Sequence, residues 1–200
     1  MSFWDQQFAG EGFKYGTEPN VFLREQAQRL KPGSEVLLPG DGEGRNSVWL
    51  ATQGYRAIAL DSSSVGLDKA RALAALRGVP LQTLHVDLAH WQPGGAAFDA
   101  VALIYLHLPP DVRQTALRQL FGVLRPQGWL LLEAFHPRQL GYGSGGPKDQ
   151  AMLYTLAMLR ADLDGLPYRE ALAWEGEVDL DEGPGHHGPA FVTRWVIQRI

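Results

Sequence analysis

The chain has 200 residues, 45% of them hydrophobic, which suits one globular domain spanning 1–200 with a sizeable core. A net charge of −4 without any run of five like charges gives no electrostatic footprint for nucleic acid or an anionic membrane, so a small-molecule partner is favoured. The absence of cysteine excludes disulfides, thiolate metal sites and cysteine nucleophiles, and no basic leader or stretch of 18 apolar residues points to export or a membrane span, so a cytoplasmic protein is expected, monomer or homodimer.

Residues 1–20 set Phe3, Trp4, Phe8, Phe13 and Tyr15 among Gly10, Gly12 and Gly16, too aromatic for a disordered tail and too glycine-rich for a stable helix. The segment is expected to dock onto the rest of the fold. Asn20 or Thr17 caps a helix running to about residue 30, with Val21, Phe22, Ala27 and Leu30 as its buried positions, and Lys31-Pro32-Gly33 ends it. Then comes a short apolar strand, Val36-Leu37-Leu38, which should stop at Leu38 because Pro39 has no N–H to donate.

The strand runs into Gly40-Asp41-Gly42-Glu43-Gly44-Arg45-Asn46, which opens an amphipathic helix to about Gln53. Glycines there let the backbone turn tightly and aim the free N–H groups of the helix's first turn at a ligand. A second apolar strand, Arg56 to Leu60, ends on Asp61, 21 residues after Gly40, where an acidic side chain is placed to accept hydrogen bonds from ribose hydroxyls. A dinucleotide loop would read G-x-G-x-x-G, but here the pattern is G-x-G-x-G with Arg45 in the third glycine's place, which disfavours NAD.

With Gly40, Gly42, Gly44 and Asp61 in this order, the segment resembles motifs I and II of the class I S-adenosylmethionine-dependent methyltransferases. The longer string G-D-G-E-G-R-N-S-V-W-L-A resembles their tellurite-resistance and thiopurine-methyltransferase-like branch. The resemblance implies S-adenosylmethionine as cofactor, methyl transfer to a small-molecule acceptor, and binding contacts from the loop through Asn46. It also implies that Tyr15-Gly16-Thr17-Glu18-Pro19-Asn20 closes over the cofactor's methionine end, where the Tyr15 ring can cover a sulfonium; an aromatic packing anchor is the plainer reading of that tyrosine. One departure stands out: the position two before the first glycine, usually acidic in the family, is Leu38. Asp41 is a candidate to replace that carboxylate, or else a turn residue bonding its own backbone.

Ser62-Ser63-Ser64 supplies a serine cap for a helix to about Arg77, and Gly78 ends it. A third strand, Leu81 to Val86, ends at Asp87-Leu88, the position where the family places an acidic or polar side chain against the adenine amino group. His85 and Asp87 share a strand face, but no further ligands stand at metal spacing. Phe98 to Tyr105 is nearly continuous apolar sequence, as a parallel strand buried on both faces should be. Tyr105 and His107 follow at its C-terminal end, in the family's fourth-motif position but without the Asn- or Asp-Pro-Pro-Tyr string of nucleobase-amine methyltransferases. His107, nearest the expected methyl group, is the candidate general base, ahead of His136 and His187.

Pro109-Pro110-Asp111 starts a helix to about Leu124, Arg125-Pro126-Gln127-Gly128 turns, and Trp129 to Phe135 is the fifth strand. Residues 136–147 read as a loop over the site, and Met152, Leu153, Leu156 and Leu159 indicate a helix over about 149–163. Tyr168 to Leu180 and Pro189 to Arg199 form an antiparallel hairpin whose connection holds His186-His187. The expected fold is therefore α/β: a doubly wound, seven-stranded, mostly parallel Rossmann-like sheet ending in an antiparallel hairpin. Two alternatives remain: an NAD(P)-dependent oxidoreductase, and a non-catalytic S-adenosylmethionine-binding protein, for which Leu38 is the main support.

Overall fold

The structure is a computed structural model that describes residues 2–95 and 98–200. Its seven strands are β1 (Glu35–Pro39), β2 (Arg56–Asp61), β3 (Gln82–His85), β4 (Phe98–Ile104), β5 (Leu124–Phe135), β6 (Tyr168–Asp181) and β7 (His187–Arg199). They form one sheet in the order β3-β2-β1-β4-β5-β7-β6. β3, β2, β1, β4 and β5 are parallel, whereas β7 runs antiparallel to both β5 and β6. The expected doubly wound sheet with a terminal hairpin is thus what the chain forms, and the strand order reverses between β1 and β4.

The helices are α1 (Phe3–Phe8), α2 (Val21–Gln26), α3 (Arg45–Thr52), α4 (Ser64–Arg77), α5 (Pro110–Gly122) and α6 (Leu156–Asp162). Alternation along the central strands sorts the core into two layers. Leu37, Ile58, Leu60, Val101, Leu103 and Leu132 pack with Leu117, Leu120 and Phe121 of α5 and Leu159 of α6. On the other face Val36, Leu38, Ala100, Ala102 and Leu131 pack with Phe22 and Leu23 of α2 and Leu50 of α3.

Several elements differ from expectation for local reasons. Residues 3–8 are helical because Ser2 and Asp5 make a reciprocal capping box, and the glycines that would break a helix all lie beyond it. In α2 it is Leu23 rather than Val21 that is buried; Val21 faces solvent. β1 continues through Pro39, because the next donor, the Gly40 N–H, bonds the Leu60 carbonyl at 2.7 Å. β5 begins at Leu124 and resumes its ladder at Trp129 after an excursion in which Gln127 takes φ 66°. The helix expected over 149–163 is split: Asp149 caps a short 3-10 turn at Gln150–Met152, the chain then extends so that the Tyr154 N–H reaches the Phe135 carbonyl, and Thr155 caps α6.

Candidate active site

The C-terminal ends of β1, β2 and β4 open on a cavity of about 800 Å³ at the strand-order reversal, where open α/β sheets bind ligands. Gly40, Asp41 and Gly42 form its floor, with Asp61, Ser62, Asp87 and Leu88 beside them. Gly44 lies off the wall. Its φ is 88°, and a Cβ there would sit 2.6 Å from the Ala70 Cβ and 2.7 Å from the Ala70 Cα, so this third glycine serves the close approach of α3 to α4. Asn46 lines the cavity, but its Oδ1 accepts the Asn20 N–H at 2.9 Å, which ties the N-terminal segment to α3.

Asp61 is buried, and its two carboxylate oxygens accept the Gly42 and Ser63 N–H groups, each at 2.8 Å. One lone pair on each oxygen is left for a ligand. Burial pushes its carboxyl upward, against the backbone hydrogen bonds. Asp41 has one oxygen on the Ser47 hydroxyl; the other, Oδ1, is closed to solvent and has no partner. Burial first, with repulsion from Asp61 adding and the Ser47 hydrogen bond opposing, raises its carboxyl to about 7. Asp87 accepts the Ala89 N–H at 2.9 Å and holds the turn after β3 against the cavity.

The N-terminal segment forms one side of the cavity through Phe3, Trp4, Phe8 and Tyr15. It is fastened by long-range bonds: Ser63 Oγ to Asp5 at 2.7 Å, Lys69 Nζ to the Gly10 and Gly12 carbonyls at 2.8 and 2.7 Å, and the Lys14 N–H to Glu43 at 2.7 Å. The β6–β7 turn closes over it. A Cβ on Gly183 would lie 2.6 Å from the Tyr15 carbonyl carbon, so only glycine lets these two segments touch. A buried polar chain fixes this roof: Arg45 Nη2 to Glu182 at 2.7 Å, Asn20 Nδ2 to Glu182 at 2.9 Å and to Glu133 at 2.6 Å, and Arg194 Nε to Glu133 at 2.6 Å.

Tyr105, at the end of β4, is held at φ 53°, a conformation costly for a bulky residue and typical of functional sites. Its ring stacks on Phe135 at 4.6 Å, and its hydroxyl is buried without a partner. His107 does not offer a base. Its Nδ1 bonds the Met152 carbonyl at 2.7 Å and its Nε2 accepts the Phe135 N–H at 3.2 Å, so both ring nitrogens are committed to structure. Burial pushes the imidazole down to about 4. His136 likewise accepts the Arg138 N–H, and His187 is exposed beside Asp181.

Two histidines line the cavity, His107 with both ring nitrogens engaged and His186, which the hairpin connection carries there and which was not among the candidate bases. Six buried side-chain polar atoms among the described residues lack a partner, and four of them belong to residues that line this one cavity: Asp41 Oδ1, Arg45 Nη1, Tyr105 Oη and His186 Nδ1. Unpaired buried groups are costly and rare, so their concentration here marks a place that a polar ligand completes.

Residues 36–128 match the sequence model of a family described as a methyltransferase domain. This stretch is similar in sequence to methyltransferase domains. The fold around it is the methyltransferase fold. It superposes with a TM-score of 0.80 on a structure described for the conversion of a disulfide bond into a thioacetal group during echinomycin biosynthesis, at 17% identity over 98% of this chain and 90% of that one. TehB from Haemophilus influenzae gives 0.72 at 14% identity, covering 99% of this chain and 66% of TehB. Magnesium protoporphyrin IX methyltransferase from Synechocystis PCC 6803, solved with bound SAH, gives 0.67 at 19% identity, covering 90% and 80%. No curated protein sequence matches the chain. Nothing in these likenesses supports a nicotinamide-dependent oxidoreductase or a non-catalytic binding protein. Among the described residues no helix is long and apolar enough to cross a membrane, and no group of three His, Asp or Glu side chains is placed to hold a metal.

Proposed function

We propose that the protein binds S-adenosylmethionine in this cavity and transfers its methyl group to a small molecule. The observation that carries the reading is the convergence of the glycine loop, Asp61 and the four unpartnered polar atoms on one cavity, within a methyltransferase domain. The residues present fit the cofactor. Asp61, with Ser62 beside it, would hold the ribose diol with its free lone pairs; Asp87 and Leu88 would hold the adenine; and the unpaired Asp41 Oδ1 would take the cofactor's ammonium group, the job that Leu38 cannot do. Tyr15 and Tyr105 present ring faces and edges suited to a sulfonium cation.

When bound, the cofactor supplies a methyl group already activated on positively charged sulfur. What the chain adds is position and a dry environment, which suffice for in-line displacement without a protein nucleophile. A tellurite-resistance role, suggested by the likeness to TehB, is a narrower reading that rests on fold alone. Thermal unfolding with S-adenosylmethionine, S-adenosylhomocysteine or NAD tests the cofactor assignment. A ligand at 100 times its dissociation constant adds about 2.7 kcal/mol, or roughly 5–11 °C for a chain of this size. The first two ligands should produce that rise and NAD should not; a rise with NAD alone would overturn the assignment.

A further inference from the structure

Among the described residues, three basic side chains line the cavity, Lys14, Arg45 and Lys148, and they are placed very differently. Lys148 stands exposed at the rim, and the Lys14 ammonium is bonded to the Gln7 side chain. Arg45 alone is buried. It is also the first residue of α3, at the positive end of the helix dipole, where a cation is least favoured. Gly44 before it caps the helix without a side chain, so nothing local offsets that charge.

The partner of Arg45 comes from far along the chain. Glu182 in the β6–β7 turn accepts Arg45 Nη2 at 2.7 Å on one oxygen, and on the other it accepts Asn20 Nδ2 at 2.9 Å and the Val21 N–H at 3.3 Å. This holds the guanidinium by one edge. The remaining terminal nitrogen, Nη1, is buried with no acceptor. An arginine kept only to fasten the roof would carry this group as a standing cost, because an unmatched buried donor gives up its water for nothing. Its counterpart lies four residues earlier in the same loop, where Asp41 Oδ1 is a buried acceptor with no donor. The two do not bond each other. After burial, which dominates at each group, the Arg45 charge opposes the upward push on Asp41, Tyr15 and Tyr105 and adds to the downward push on His186, so the guanidinium stands among all four.

A carboxyl oxygen without a donor and a guanidinium nitrogen without an acceptor, close but unjoined, match the two ends of an α-amino acid zwitterion. Building on the methyl-transfer reading, we propose that Arg45 binds the carboxylate of the cofactor's methionine end, beside the ammonium group on Asp41. A planar guanidinium serves two carboxylates from two edges, here Glu182 on Nη2 and the ligand on Nη1. The ligand's negative charge is also the kind that a helix N-terminus favours, which offsets the cation that the chain places there. The turn that carries Glu182 closes on Tyr15 and lies outside the 36–128 stretch that is similar to methyltransferase domains. Recognition of the amino-acid end is thus shared between the loop after β1 and the terminal hairpin, and no pattern within the glycine loop alone accounts for it.

S-adenosylhomocysteine and its decarboxylated analogue, S-adenosyl-3-thiopropylamine, share the adenosine, the sulfur and the amine and differ only in the carboxylate. Calorimetric titration of the wild-type protein at pH 7.5 should show the analogue binding at least about tenfold more weakly. In Arg45→Met combined with Glu182→Gln, which leaves no member of the pair charged and alone, that ratio should fall below about threefold. The fall should come from S-adenosylhomocysteine, with the analogue staying within about threefold of its wild-type affinity. If the double variant misfolds, Arg45→Lys keeps a charge for Glu182 without a second guanidinium edge, and the ratio should fall in the same way. Equal binding of the two ligands by the wild-type protein overturns the proposal. So does a parallel loss of both in a folded variant, which would leave Arg45 with a structural role alone. If neither ligand binds the wild-type protein, the cofactor reading falls and this inference with it, whereas binding without discrimination removes this inference only.

Discussion

Asp41→Asn should stabilise the protein at alkaline pH and do little near pH 4. In the unfolded chain this carboxyl titrates near 3.8, whereas in the fold burial raises it to about 7. Between those values the folded state keeps a proton that the unfolded state has lost, so stability falls as pH rises through the window. At roughly 1.4 kcal/mol for each tenfold change in proton affinity, holding the ionised form above pH 7 costs at most ~4 kcal/mol. Asp41 as a residue keeps partial contact with solvent even though Oδ1 does not, and screening brings the figure towards ~2 kcal/mol. Asparagine keeps the shape and cannot ionise. Thermal unfolding of the variant and wild type, compared at pH 4 and pH 8, should show a gain of about 4–8 °C at pH 8 and under ~2 °C at pH 4. Equal gains at both pH values, or a loss at pH 8, would refute the account of Asp41 as a buried, under-satisfied acid. The same substitution should weaken S-adenosylmethionine binding, because the oxygen that has no partner within the fold is the one assigned to the ammonium group.

Replacing Asp61 by Ala removes a charged acceptor worth about 1.5–3 kcal/mol per hydrogen bond, so calorimetry should show S-adenosylmethionine affinity reduced at least about tenfold; unchanged affinity would remove Asp61 from the ribose site. Gly44→Ala should be severely destabilising, because the new Cβ meets the Ala70 backbone at 2.7 Å and the φ of 88° is unfavourable besides; denaturant unfolding within ~0.5 kcal/mol of wild type would contradict the packing of α3 on α4. His107→Gln should lose about 1–3 kcal/mol of stability while binding S-adenosylhomocysteine within twofold, since both ring nitrogens serve the fold. Its imidazole is neutral in the fold down to about pH 4, but charges near 6.5 when unfolded, so wild-type stability should drop as pH falls through that window and the variant should drop less.

What the sequence reveals about this protein depends on how far apart the cooperating residues are. The glycine loop and Asp61 are readable because strand, turn and helix occupy one stretch, and the sheet order follows from right-handed connections between such units. The roof is assembled from residues that no local pattern connects: Asn20 meets Glu133 across 113 positions and Glu182 across 162. A trace of it does exist in the chain. Glu133 stands in the apolar run W-L-L-L-E-A-F and Arg194 in F-V-T-R-W-V-I, and a charge inside a strand buried on both faces needs a buried partner of opposite sign. Pairing β5 with β7 antiparallel sets Glu133 directly opposite Arg194. From that pair the remaining links to Asn20, Glu182 and Arg45 depend on how the β6–β7 turn folds back over Tyr15, a contact between two loops that periodicity cannot register. The same turn decides which of two adjacent histidines enters the cavity. His186 is carried inward by its hydrogen bonds to Gly183 and Glu182 and His187 is left outside, so the choice between them is made by turn geometry and not by residue type.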